Sequence, residues 1–462
     1  MTAPKTLDAP YEPPRIFGPR YRTASLGILL VITLIAFEGM SIGAVMPAAS
    51  ADLEALNLYG MSFSAFLIAG LFANVAAGLW SDRRGHAVPF LLGVALFTVG
   101  LALAGAAWSK EVFIASRAVQ GLGGGFAIVA IYVMIARVYA PETRPRIFAA
   151  LSAAWVLPAL IGPGVGGLIA ETVGWRWVFY GIVPLVIPAL VMLLPALRGG
   201  EGEAPVPGTG PRSRPLPMTL AALGTAVGAA VLLYGADLLH TRPVLGGIMT
   251  ATGLAALAVG LPRLLPPGAL RFGRGLPTTV MMRGVLGGAF FGVNAFIPLV
   301  LQEEFGFDLT KAGVALTVGA LGWSSGSYMQ ARHDWDRPRL VRFGAAAVTA
   351  GILLTLLAFI PGMTGWIMAP AWLVAGLGMG VGMPSVSITT MRQSPDAEQG
   401  ANSAALQVID TLGSSLTIGF GGVLVNLIGH DDIATGYTAI VAMTAAVGVL
   451  GMVVAGRMRD VS

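Results

Sequence analysis

SLGILLVITLIAFEGMSIGAVMP, Ser25 to Pro47, is an apolar run whose only charged residue is Glu38. A helix of this length rises far enough to cross the ~30 Å hydrocarbon core of a bilayer. A carboxylate in the middle of such a helix is costly in lipid, so it faces a protein or water-filled interior and marks an ion or substrate path. The fold must therefore enclose Glu38, and the rest of the chain says how.

Of 462 residues, 55% are hydrophobic and 11% charged, against roughly 25% charged in a soluble domain. Apolar runs of about 20 residues recur between short polar breaks, the pattern of a polytopic all-α membrane protein, because a helix satisfies its own backbone in lipid. The 63 Gly and 30 Pro are tolerated in membrane helices, where small residues let backbones approach closely. With no cysteine, disulfides, thiolate metal sites and cysteine nucleophiles are excluded. Residues 1 to 22 are polar and Pro-rich, without the pattern of a cleavable signal peptide.

Spanning helices are expected near 25–47, 59–80, 88–108, 112–138, 147–170 and 177–197. A Pro/Gly-rich polar linker, 198–216, follows. Two spans near 217–239 and 243–265 come next, and a second basic linker, 266–276. Six more spans are expected near 277–301, 309–331, 338–360, 365–391, 398–426 and 434–456. The arrangement is fourteen helices: a six-helix bundle over 25–197, a central pair over 217–265 and a second six-helix bundle over 277–456, with tails at 1–24 and 457–462. Lys and Arg concentrate on the cytoplasmic side of membrane proteins. With the N-terminus inside, 22 of the 28 fall in cytoplasmic segments and only Lys110, Arg176, Arg242 and Lys311 outside. Both termini are expected to be cytoplasmic, in the plasma or inner membrane. Three acids lie within proposed spans: Asp237 near an outer end, and Glu38 and Asp410 well inside.

Four local patterns carry chemistry. Gly78-Leu79-Trp80-Ser81-Asp82-Arg83-Arg84-Gly85-His86 forms a tight turn after the second span, an acid followed by a basic pair. In the fourth span Arg117, Gln120, Gly121 and Gly124 recur at i, i+3, i+4 and i+7, on one face. An Arg there needs a partner, a backbone carbonyl or water, or it snorkels to the outer end of its helix. In the fifth span Gly162-Pro163 precedes Gly166-Gly167, then Trp175-Arg176-Trp177-Val178-Phe179. Proline interrupts the hydrogen-bond ladder and the glycines permit close approach, so this helix can bend and slide on a neighbour. In the thirteenth, Asp410 shares a face with Gln407 and Ser414, which suits it to carry a proton or to pair with an Arg.

On these motifs the chain resembles the major facilitator superfamily, and within it the fourteen-helix drug:proton antiporter branch. Gly78, Asp82, Arg83 and Gly85 match the superfamily's cytoplasmic gating motif G-x-L-a-D-r-x-G-r-k. Arg117, Gln120 and Gly121 match the helix 4 motif R-a-x-Q-G. Gly162, Pro163, Gly166 and Gly167 match the antiporter motif G-P-x-x-G-G, associated with exporters. Glu38, with Pro47 nine residues on, resembles the helix 1 signature L-D-x-T-I-V-N-V-A-L-P, with Glu at the Asp position and Gly43 at the Asn. Asp410 stands where Arg is common.

The resemblance implies a secondary transporter that exports amphipathic or cationic small molecules by alternating access, driven by the proton gradient and needing no cofactor. Glu38 is the leading proton carrier and Asp410 the second. A cavity at the bilayer midplane between the bundles is expected to draw on Tyr132, Phe290, Phe291, Asn294 and Phe296, since such cargo binds apolar and aromatic surface with few polar contacts. Its partners are substrate, protons and lipid; a monomer is expected, and no nucleic acid. An exporter of an endogenous lipid or metabolite is the alternative, with a proton-coupled uptake symporter behind it. An enzyme is not expected: His86, His240, His333 and His430 are scattered and no metal-spacing motif appears.

Overall fold

The computed structural model describes residues 15–19, 21–198, 215–332, 335–395, 398–428 and 432–459. Most of the 1–24 tail, most of the 198–216 linker and the last three residues thus lie outside the described residues.

The described chain is all helical. Its long helices are α1 (Arg22–Asp52), α2 (Tyr59–Arg84), α3 (Ala87–Gly105), α4 (Lys110–Val138), α5 (Arg144–Thr172), α6 (Arg176–Leu197) and α7 (Pro215–Leu238). They continue as α8 (Pro243–Gly260), α9 (Leu276–Glu303), α10 (Leu309–Arg332), α11 (Arg337–Leu354), α12 (Met368–Gln393), α13 (Gln399–Ile428) and α14 (Ile433–Val454). The fourteen expected helices are present, and 13 are long and apolar enough to cross a membrane. The exception is α10, a 24-residue helix whose Trp323-Ser324-Ser325-Gly326-Ser327 stretch lowers its hydropathy. It lies between α5 and α12, where small and polar residues serve packing rather than lipid contact.

Within the first six helices α1 packs on α5 and α6, and α4 on α2 and α3; within the last six α12 packs on α10 and α11, and α9 on α13 and α14. Two seams join the groups, α2 against α13 and α5 against α10. Both are glycine contacts. A Cβ at Gly60 would stand 2.5 Å from the carbonyl oxygen of Ile418, and one at Gly313 2.3 Å from that of Pro163. Ser64 Oγ donates to the carbonyl of Ser415 at 2.8 Å, and Glu171 accepts from the amide of Thr310 at 3.0 Å and its hydroxyl at 2.7 Å. α9 breaks at Ala295–Phe296, ahead of Pro298, which has no amide to continue the ladder. Tyr59 donates its hydroxyl to Ala295's carbonyl there, at 2.9 Å.

All these contacts come from the end where α2 and α10 begin. Toward the other end α13 exposes Ser403, Ala404 and Gln407, a set suited to water. The close backbone approaches and hydrogen bonds named across both seams therefore cluster at one end. α7 follows α2 and meets α13 through Leu233 against Gly419 and through Asn426 Nδ2, which donates to Asp237 Oδ1 at 2.9 Å.

Candidate functional site

α1 is buried along most of its length and carries Glu38 into the first bundle, where the side chain is 1% exposed. Arg117 of α4, 2% exposed, extends inward rather than toward the helix end and pairs through Nη1 with Glu38 Oε1. The same Nη1 donates to Gln120 Oε1 at 2.7 Å. The guanidinium carbon sits over the Phe66 ring of α2, 4.7 Å from its centroid. Glu38 Oε2, Arg117 Nε and Gln120 Nε2 are buried without a hydrogen-bond partner. A buried ion pair with unmet valences is a poor stabiliser, because desolvation offsets much of the Coulomb gain, but breaking it strands a charge.

The helix 4 spacing now has a packing reason. Gly121 brings α4 against the α2 backbone, where a Cβ would lie 2.1 Å from the carbonyl oxygen of Phe66, and Gly124 leaves space beside the Phe66 ring. Gly162 and Gly166 of α5 face α1 at Ser41, whose hydroxyl donates to the Gly162 carbonyl at 2.9 Å. Gly167 and Pro163 meet Leu309 and Gly313 of α10. The G-P-x-x-G-G stretch thus touches both the helix that carries the acid and the opposite bundle.

Asp410 of α13 pairs through Oδ2 with Arg283 Nε of α9 at 3.0 Å, the two side chains 20% and 21% exposed. Arg283 Nη1 also donates to Ser387 Oγ of α12 at 3.0 Å. The two acids well inside their spans, Glu38 and Asp410, are therefore each matched with an arginine, one pair in each bundle, the first sealed and the second partly open.

The tight turn expected over 78–86 is shorter in the structure: residues 78–84 are the last turns of α2, and only Gly85 and His86 link it to α3. Gly85 has φ +85°, a conformation costly for any side chain. Asp82 and Arg83 are exposed, and Gly78 is half-buried. Arg137 of α4 donates to the Ser81 carbonyl at 3.2 Å, holding the end of α2. His86 is 2% exposed, and neither ring nitrogen makes a hydrogen bond. Burial, then the Arg137 charge, push its imidazole below the ordinary value near 6.5, opposed by the backbone at Ala196. Ala196's influence falls short of hydrogen-bond geometry, so the downward direction stands.

Residues 28–418 match the sequence profile of the Major Facilitator Superfamily. The chain belongs to that superfamily. It is accordingly an integral multi-pass membrane protein from a superfamily of secondary transporters, as expected, and not an enzyme. It is 28% identical over 454 residues to a probable multidrug-efflux transporter of Mycobacterium tuberculosis, covering 93% of this chain and 94% of that protein. To a methylenomycin A resistance protein of Bacillus subtilis it is 25% identical over 422 residues, covering 88% and 89%. Among solved structures it resembles a POT family transporter in complex with 5-aminolevulinic acid, with TM-score 0.68 and 14% identity over 96% of this chain and 99% of that one. A D-xylose–proton symporter gives TM-score 0.66 and 17% identity over 96% and 98%. These likenesses establish the fold.

Within the superfamily fold the five aromatic and amide residues separate. Phe290 is buried and stacks on Trp372, with centroids 4.6 Å apart; Phe291 meets Phe290 edge-on; Asn294 Oδ1 accepts from Trp372 Nε1 at 3.0 Å. Phe296 is fully buried against Tyr59. Tyr132 is exposed in the first bundle, stacked on Phe148 of α5. Sequence reasoning missed Arg283 as the partner of Asp410, although an intramembrane Arg beside an unpaired acid was the signal. It also missed Phe66, which no periodicity distinguishes from a packing residue.

Proposed function

We propose that this protein is a proton-coupled exporter of amphipathic or cationic small molecules, working by alternating access with Glu38 as the proton carrier. The observation that carries the reading is the water-excluded Glu38–Arg117 pair on the helix that the G-P-x-x-G-G stretch packs against. Ionised, the pair is neutral as a whole. A proton on Glu38 leaves Arg117 unbalanced in a dry site, a cost of several kcal/mol that favours rearrangement of α1 against α5. The relatives' names, a probable multidrug-efflux transporter and an antibiotic resistance protein, support cargo of this kind.

The basic loops favour cytoplasmic termini, and in that orientation the glycine-packed end of the seams faces outward. Proton entry from outside gains about 2.3 kcal/mol per 100 mV of membrane potential, and returning the carrier drives cargo out. Asp410, with Arg283, forms a second charged site on the opposite bundle, open enough to exchange with water or cargo.

The test is substrate-driven proton movement in proteoliposomes, with a panel of cationic dyes, lipids and metabolites that separates drug efflux from export of an endogenous compound. Glu38→Gln abolishes coupling while the protein stays folded. Normal coupling in that variant moves the carrier role to Asp410, and Asp410→Asn then stops it.

A further inference from the structure

The geometry points to Phe66 as a positioning residue that decides at what pH Glu38 exchanges its proton, through the cation–π contact between the Phe66 ring and Arg117; this rests on Glu38 being the proton carrier.

When Glu38 is neutral, Arg117 keeps its charge in a site with 2% exposure. Two supports that cannot titrate then remain, Gln120 Oε1 at 2.7 Å and the Phe66 ring at 4.7 Å. The groups facing the guanidinium come from three helices: Glu38 from α1, Gln120 from α4 and Phe66 from α2. From α3, Gly100 meets Gln120, and from α5, Gly162 meets α1 at Ser41. Of these only Glu38 titrates. A ring over a desolvated cation attracts it through the ring quadrupole. That attraction counts for more once the carboxylate is gone, since the guanidinium no longer shares its charge with an anion. Phe66 therefore stabilises the protonated state of the site over the ionised one. The notch formed by Gly121 and Gly124 keeps the ring there, so the glycines of the helix 4 motif act on Arg117 through Phe66.

Weakening the ring's quadrupole without changing its shape makes the protonated state costlier and moves proton uptake to lower pH. The experiment replaces Phe66 with 4-fluoro-, 3,5-difluoro- and 3,4,5-trifluorophenylalanine in the full-length protein. It reads the pH of half-maximal substrate-driven proton movement in proteoliposomes, with Phe66→Tyr and Phe66→Leu beside the series. The midpoint is expected to fall stepwise with fluorine number, by about half to one and a half pH units in all. Phe66→Tyr stays near the parent, and Phe66→Leu lies at or beyond the trifluoro value. The near-isosteric series keeps the fold, so a purely packing role predicts a flat midpoint, and a flat midpoint overturns the inference. Glu38→Gln in the same vesicles separates the two failures. If it is uncoupled while the series is flat, Phe66 alone is misassigned; if it couples normally, both readings fall.

Discussion

Ser41 of α1 donates its hydroxyl to the carbonyl of Gly162 on α5 at 2.9 Å, about one helical turn beyond Glu38. The bond exists because α5 presents no side chain there. A Cβ at Gly166 would stand 2.7 Å from Ser41 Cβ, too close for any real contact, whereas one at Gly164 would meet only Val314 at 3.7 Å. Gly166→Ala is expected to push α1 off α5 and to destabilise the protein by about 1–3 kcal/mol, the usual cost of overpacking. Transport should fall several-fold. Gly164→Ala should match the parent in thermal unfolding in detergent and in transport rate. Equal behaviour of the two variants would rule out the α1–α5 contact as the coupling element.

Removing Arg117 strands a buried carboxylate. Arg117→Met is expected to cost about 3–5 kcal/mol, as when one partner of a buried pair is deleted, while Glu38→Gln/Arg117→Met recovers much of that loss. A four-member cycle of unfolding free energies reads the coupling between the two side chains. Additive losses would mean that Glu38 and Arg117 do not stabilise one another.

The helices and their order were legible because lipid imposes a length and a composition on every span. α10 is the instructive case: its place in the order marked it as a span, yet its glycines and serines fall short of the apolarity of the other 13 helices. Its glycines pack against α5 and α12, at Pro163 and at Leu373 and Leu377, so they serve contact between helices. Glu38, Arg117, Gln120 and the Gly162–Gly167 stretch were legible because charge and glycine are expensive or unusual in a membrane helix. Their partnerships were not. Arg117 could have snorkelled outward, and only the three-dimensional path of α4 past α1 turns it inward. Phe66 was invisible, since an aromatic residue in an apolar helix carries no charge signal and its role comes from which cation lies above it.

Closure of the seams where α2 and α10 begin, the outer end in the proposed orientation, depends on backbone touching backbone. A Cβ at Gly313 would sit 2.3 Å from the Pro163 carbonyl oxygen, and a main-chain atom cannot swing away as a side chain can. Gly313→Ala is expected to hold the α5–α10 seam apart and favour the outward-open state. The chain has no cysteine, so a single Ser64→Cys on the other seam, buried in the closed end, is a clean probe. An impermeant thiol reagent applied from outside should label it several-fold faster in the Gly313→Ala background. Unchanged labelling would show that the seam tolerates the methyl group without opening.

His86 offers a test by acid. Its folded imidazole titrates below the ordinary value near 6.5, through burial and the Arg137 charge. The unfolded chain then binds more protons than the folded one between the two values, and stability rises with pH across that window. The contribution of His86 is whole above about pH 7 and is lost as pH falls through 6.5 toward the folded value. The comparison is with His86→Gln, which keeps a polar side chain of similar size and does not titrate there, so the other histidines cancel. Unfolding midpoints in detergent between pH 5 and 8 should show a constant difference between parent and variant at the alkaline end, turning against the parent on acidification. A difference that grows in the parent's favour at low pH would mean that the fold stabilises the charged imidazole in spite of its burial and the Arg137 charge.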